Sequence, residues 1–136
     1  MQIRPLNDKL AVGPQIQPED VAALKDAGFT FIINNRPDGE EPGQPDEQAI
    51  EAAVKAAGLG YAHIPVIRGP SHDNVEAMEE ALKEAGDGKV FAFCRSGMRS
   101  CMTSAIARAQ GDADHQGLID EAAAAGYDIS PVTHLL

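Results

Sequence analysis

Tryptophan is absent, aromatic residues make up 4% of the 136-residue chain, and cysteine occurs twice, as Cys94 and Cys101. Two cysteines are too few for a disulfide framework and, without a second pair, do not make a zinc site, so either one matters chemically only as a thiol. No stretch approaches the ~18 consecutive apolar residues of a membrane span, and the charged opening MQIRPLNDKL lacks the apolar core of a signal peptide. The expectation is a soluble, cytoplasmic protein. Positive charge is also scarce: 11 Lys and Arg face 21 Asp and Glu, a formal net charge of -10. The resulting field repels nucleic acid and anionic membranes, so neither is an expected partner, and an anionic substrate needs a local positive site. The four histidines, His63, His72, His115 and His134, have no ligand spacing, and no HxHxDH or HExxH occurs. No metal or cofactor is expected, and His63 reads as an ordinary strand histidine.

Hydrophobic residues are 43% of the chain, enough for one continuous core, so residues 1–136 read as a single domain. Periodicity predicts strands at 9–13, 29–34, 61–67 and 89–94. Helices are predicted over PEDVAALKDAG, over 47–57, after the turn-rich RGPSHDN with Val75, Met78, Leu82 and Ala85 on one face, over SCMTSAIARAQ and over ADHQGLIDEAAAAG, with Gly28, Gly58 and Gly86 as helix stops. Strand alternating with helix argues an α/β fold, a mostly parallel central sheet flanked by helices. The tail YDISPVTHLL is either a short docking segment or disordered.

The chemistry concentrates in FCRSGMRS, residues 93–100, directly after the apolar run KVFAF. Ligands of open parallel sheets bind beyond the carboxyl ends of strands, where Cys94 falls, with a helix beginning a few residues on. Arg95, Ser96, Gly97, Met98 and Arg99 can wrap their N–H groups into an anion nest, with Gly97 supplying a conformation closed to other residues. Cysteines at helix N-termini or beside arginine ionise at roughly 3.5–7.5 rather than about 8.5. Cys94 is therefore a candidate thiolate nucleophile, against the alternative of a small apolar residue ending a strand.

CRSGMR resembles the active-site loop of rhodanese-type sulfurtransferases, Cys-Arg-x-Gly-x-Arg/Thr, in which the cysteine carries a persulfide sulfur. The rest of the chain does not resemble a rhodanese. VGPQIQPEDVAALKDAGFTFIINNRPDGEE, GQPDEQAIEAAVKAAGLGYAHIPV and FCRSGMRS together resemble the DUF442, or beta-lactamase hydrolase-like, family. That family is similar in fold to dual-specificity protein phosphatases and is also found fused to persulfide-dioxygenase-like metallo-hydrolases, which implies such an enzyme as a partner. The phosphatase signature is His-Cys, five residues, then Arg-Ser/Thr, whereas here Phe93 replaces the histidine and four residues separate Cys94 from Arg99. A shorter loop makes a tighter cradle, better matched to one persulfide sulfur or a small anion than to a tetrahedral phosphate.

By the resemblance, Arg99 folds inward beside Cys94 while Arg95 points outward toward the donor's anionic tail. Ser100 is either a helix cap or a hydrogen-bond partner of the thiolate. Phosphate-ester cleavage needs a general acid; Asp73 is the candidate, although it is equally a helix cap. Cys101 can resolve an oxidised Cys94 or be a buried, inert thiol. Arg36, with Asp38 and Glu41, follows the second predicted strand and can line the pocket or be solvated, and Arg68 can add to a positive rim. Three functions follow: a sulfurtransferase passing sulfane sulfur from thiosulfate or a persulfide to glutathione or cyanide, a phosphatase with a phosphocysteine intermediate, or a non-catalytic anion-binding module. Substituting Cys94 separates the first two from the third.

Overall fold

The computed structural model describes residues 1–136. Five strands form one sheet: β1 (Arg4–Pro5), β2 (Leu10–Gly13), β3 (Phe29–Asn34), β4 (Gly60–His63) and β5 (Lys89–Phe93), in the spatial order β1-β2-β5-β3-β4. All pairings are parallel except β1 against β2. The last strand to be made therefore lies at the centre, and whatever follows it emerges between the ends of β2 and β3.

Alternation along these strands sends side chains to two cores. Leu10, Val12, Phe31, Ile33, Val90 and Ala92 face one side with residues of α3 (His72–Ala85), α4 (Met98–Ala109) and α5 (His115–Ala124). Ala11, Ile32, Phe91 and Phe93 face the other, where α1 (Val21–Asp26) contributes Val21 and Leu24 and α2 (Glu47–Ala56) contributes Ile50 and Val54. With both faces covered, the strands read as apolar runs. No helix is long and apolar enough to cross a membrane.

The α/β reading holds, with local corrections. The two-residue β1 escaped notice because a pair that short has no period to read. The strand expected over 61–67 ends at His63, because Pro65 has no N–H to continue the ladder; Ile64 and Val66 still donate to the carbonyls of Asn34 and Asn35. The first helix opens as a 3-10 turn over Pro18–Asp20. Gly28, Gly58 and Gly86 do follow helices, all at positive φ. The tail docks: Ser130–Leu135 is a 3-10 turn, with Ile129 and Val132 in the core.

Candidate active site

Cys94 is the first residue beyond β5. Its N–H donates to Gly13 O at the end of β2 (3.4 Å), while Asn35 N–H, beyond β3, donates to Phe93 O (2.8 Å). Two neighbouring strand ends thus fix the cysteine's backbone, and its side chain is fully buried. The loop then turns sharply: Gly97, at φ +96°, is the N-cap of α4, and its N–H donates to Cys94 Sγ at 3.1 Å. A residue with a Cβ is strained at this φ, and the Cβ would also collide with the Tyr127 hydroxyl and lie 2.9 Å from its ring carbon Cζ.

Because the helix starts at Met98, Ser100 lies inside its first turn and is not the cap. Its hydroxyl is buried without a protein partner, as is Asn35 Oδ1. The predicted start at Ser100 is two residues late, since only the φ of Gly97 reveals where the helix begins.

Arg99 is held on three of its five N–H groups. Nη1 and Nη2 each donate to one oxygen of Glu40 at 2.7 Å, and Nη1 donates again to Val66 O at 2.6 Å. The Nε–H and the second Nη2–H remain, on one edge of the guanidinium, available as a second fork. Glu40, first, and the Cys94 sulfur, next among the favourable influences, raise Arg99 above the ordinary arginine value. Arg95 is by contrast 69% exposed, its Nη2 3.6 Å from Glu41.

Arg36, expected either to line the pocket or to be solvated, is 1% exposed and organises the loop above the site. Its Nε donates to Glu40 (2.8 Å), Nη2 to Glu41 (2.9 Å) and Nη1 to Gln15 Oε1 (3.1 Å). His63 Nε2–H donates to the Arg36 carbonyl at 3.0 Å. Glu40 therefore serves two guanidiniums, and the Arg99 hydrogen bonds hold its carboxyl at about 2. The Arg36 hydrogen bond lowers Glu41 as well. Both carboxylates are ionised at neutral pH and neither has a proton to give.

Several expected residues lie apart from this network. Asp73 is exposed in the first turn of α3 without a hydrogen-bond partner; the cap is Ser71, in a reciprocal box with Asn74. Ser71, Asp73 and Asn74 are all capping types within four residues, so the sequence alone does not single out Ser71. Arg68 is exposed and unpaired, and Asp38 accepts from the N–H of Glu47 at the start of α2 (2.8 Å). Cys101 is 1% exposed, and burial pushes its thiol up to about 12, so it presents no thiolate at neutral pH. No three His, Cys, Asp or Glu side chains gather to hold a metal ion. Glu40, Gln15 and Tyr127 were not anticipated; that Tyr127 is one of two tyrosines in a chain poor in aromatics was the one available signal.

Residues 2–111 match the profile of the beta-lactamase hydrolase-like protein, phosphatase-like domain. The chain is 35% identical over 134 residues to a beta-lactamase hydrolase-like protein of Agrobacterium fabrum, covering 96% of this chain and 31% of that one. It is 36% identical over 107 residues to a protein of the same name from Xylella fastidiosa, covering 78% and 25% respectively. The chain thus spans between a quarter and a third of the curated relatives it matches. A crystal structure from Neisseria meningitidis, which carries a provisional phosphatase name, superposes at TM-score 0.81 with 32% identity over 98% of this chain and 95% of that one. Tk-PTP superposes at TM-score 0.72 with 15% identity, over 94% and 87%, a likeness of fold. The cysteine at the end of the central strand, the Gly97 N–H directed at its sulfur and the match along most of its length place this chain in the beta-lactamase hydrolase-like, DUF442 family of phosphatase-like domains.

Proposed function

We propose that this domain is a sulfurtransferase carrying sulfane sulfur on Cys94. The Cys94 thiolate attacks the outer sulfur of thiosulfate; the S–S bond breaks, sulfite leaves with its electron pair, and Cys94 is left as a persulfide. A thiolate or cyanide then attacks the terminal sulfur, releasing the product and regenerating the Cys94 thiolate. A glutathione persulfide donor follows the same steps, with glutathione thiolate as the leaving group.

The observation that carries this reading is the state of Glu40 and Glu41. Both carboxylates tied to the loop are committed to arginines, and Asp73, exposed in the first turn of α3, makes no hydrogen bond to it. An alkoxide leaving from a phosphate ester needs a proton donor; sulfite and thiolates leave as stable anions and need none. The burial of Cys94 adds to this, because a narrow donor such as thiosulfate displaces fewer side chains on entry than a phosphorylated macromolecule. The free Nε/Nη2 edge of Arg99 is the proposed site for the donor's anionic oxygens. For the acceptor side we propose a persulfide-oxidising metallo-hydrolase, fused or separate, as the physiological partner.

Family and fold favour a second reading, a phosphatase acting through phosphocysteine, and the names of the relatives and structural neighbours point that way. One comparison decides. Wild-type protein and Cys94→Ser are assayed with thiosulfate and cyanide, and with an aryl phosphate. Thiocyanate formation lost in Cys94→Ser is the expected result; hydrolysis of the aryl phosphate alone, lost in the same variant, replaces this reading with the second.

A further inference from the structure

We infer that Tyr127 is a positioning residue for the Cys94 thiolate, acting through the peptide group between Ser96 and Gly97. The Tyr127 hydroxyl donates to Ser96 O at 2.9 Å, and the N–H of that same peptide group, on Gly97, donates to Cys94 Sγ at 3.1 Å. In a planar trans peptide the C=O and N–H point in opposite directions, so fixing one end aims the other. The chain O–H to O=C, then N–H to sulfur, also polarises cooperatively, which strengthens the amide as a donor to the anion. Tyr127 thereby orients the donor to the nucleophile and sharpens it without touching sulfur or substrate.

The tyrosine is itself held rigidly. Its side chain is buried, its N–H donates to Ala122 O at 2.8 Å, and the Arg4 guanidinium sits 5.4 Å above the ring while Nη1 donates to Ala125 O. Gly97 leaves no room for a Cβ between loop and hydroxyl. Burial raises Tyr127 above the ordinary tyrosine value, so the hydroxyl keeps the proton it donates. Arg4, Cys94 and Cys101 are the titratable groups that influence Tyr127; Arg99, Cys101 and Tyr127 are those that feel Cys94. Tyr127 lies beyond residues 2–111, the part that matches the family profile. The C-terminal segment is on this account part of the nucleophile's support.

This inference rests on Cys94 being the nucleophile of the proposed reaction, but not on which group is transferred. The test is Tyr127→Phe, which keeps the ring against Gly97 and removes only the hydroxyl. Alkylation of Cys94 by iodoacetamide is followed by peptide mass mapping from about pH 5 to about pH 10, alongside urea unfolding. Below neutral pH the variant reacts about two- to fivefold more slowly, the loss expected for one weakened hydrogen bond, and the difference closes toward alkaline pH. Equal slowing at every pH, or none, overturns the inference. Wild-type protein gives a check independent of folding of the variant: the Gly97 amide proton resonance must move as Cys94 ionises, and a static resonance overturns it too. Alkylation needs no sulfur donor, so a Tyr127-dependent profile in a chain that forms no thiocyanate would sink the proposed function and leave this inference standing.

Discussion

Replacing Glu40 with Gln removes one negative charge from between two guanidiniums while retaining a single acceptor oxygen. In the native chain Glu40 takes two hydrogen bonds from Arg99 at 2.7 Å and one from Arg36 at 2.8 Å, and its carboxyl is lowered from 4.5 to about 2. That lowering corresponds to about 3 kcal/mol at face value. The carboxylate is 25% exposed, and solvent screening brings the expected contribution to about 1–2 kcal/mol. The sign follows from linkage: the unfolded chain binds the proton more readily, so the contribution is complete above the unfolded value and disappears as pH falls through the folded one. Urea unfolding of wild type and Glu40→Gln should differ by about 1–2 kcal/mol at pH 7, with the gap narrowing between about pH 4.5 and pH 2. Arg99 keeps its Val66 contact but only one of its two hydrogen bonds to residue 40 in the variant, so kcat/KM should also fall, about tenfold for one misaligned guanidinium. A gap that is absent at pH 7, or that stays constant as pH falls, refutes the reasoning.

Cys101→Ala should leave turnover within about twofold and cost about 1 kcal/mol in urea unfolding, the packing lost with a buried sulfur; loss of turnover would show that Cys101 resolves a Cys94 intermediate. Gly97→Ala should cost about 2 kcal/mol or more and abolish turnover, because the new Cβ is forced into Tyr127 at a φ of +96°; thermal unfolding and the thiocyanate assay measure both. Asp73→Asn should leave thiocyanate formation unchanged, since Asp73 is exposed and has no partner; a parallel loss of aryl phosphate hydrolysis would identify it as the general acid of a phosphatase.

What was legible in the sequence was local in the chain. Cys94, Gly97 and Arg99 fall within six consecutive residues after an apolar strand, so strand, turn and helix start could be read together with their chemistry. Arg36 and Glu40 lie in a Pro/Gly-rich loop, where charges are ordinarily solvated. They become part of the site only because β3 and β5 are neighbours, a pairing of residues far apart in sequence that no period encodes. Tyr127 is more remote still, reaching the loop from beyond α5. Caps failed for a different reason: Ser71 and Asp73 are both good capping types, and backbone φ and ψ decide between them. The strand at 60–63 was overextended because Ile64 and Val66 are apolar and buried like strand residues, yet they flank a proline.

The claim at the centre is that Cys94 accepts sulfur as a covalent adduct. Intact-protein mass spectrometry after incubation with thiosulfate or glutathione persulfide should show the gain of one sulfur atom in wild type, mapped to Cys94, removed by cyanide and absent from Cys94→Ser. Wild-type protein that stays at its unmodified mass under these conditions, while a phosphoryl adduct accumulates on Cys94 with an aryl phosphate, would contradict it.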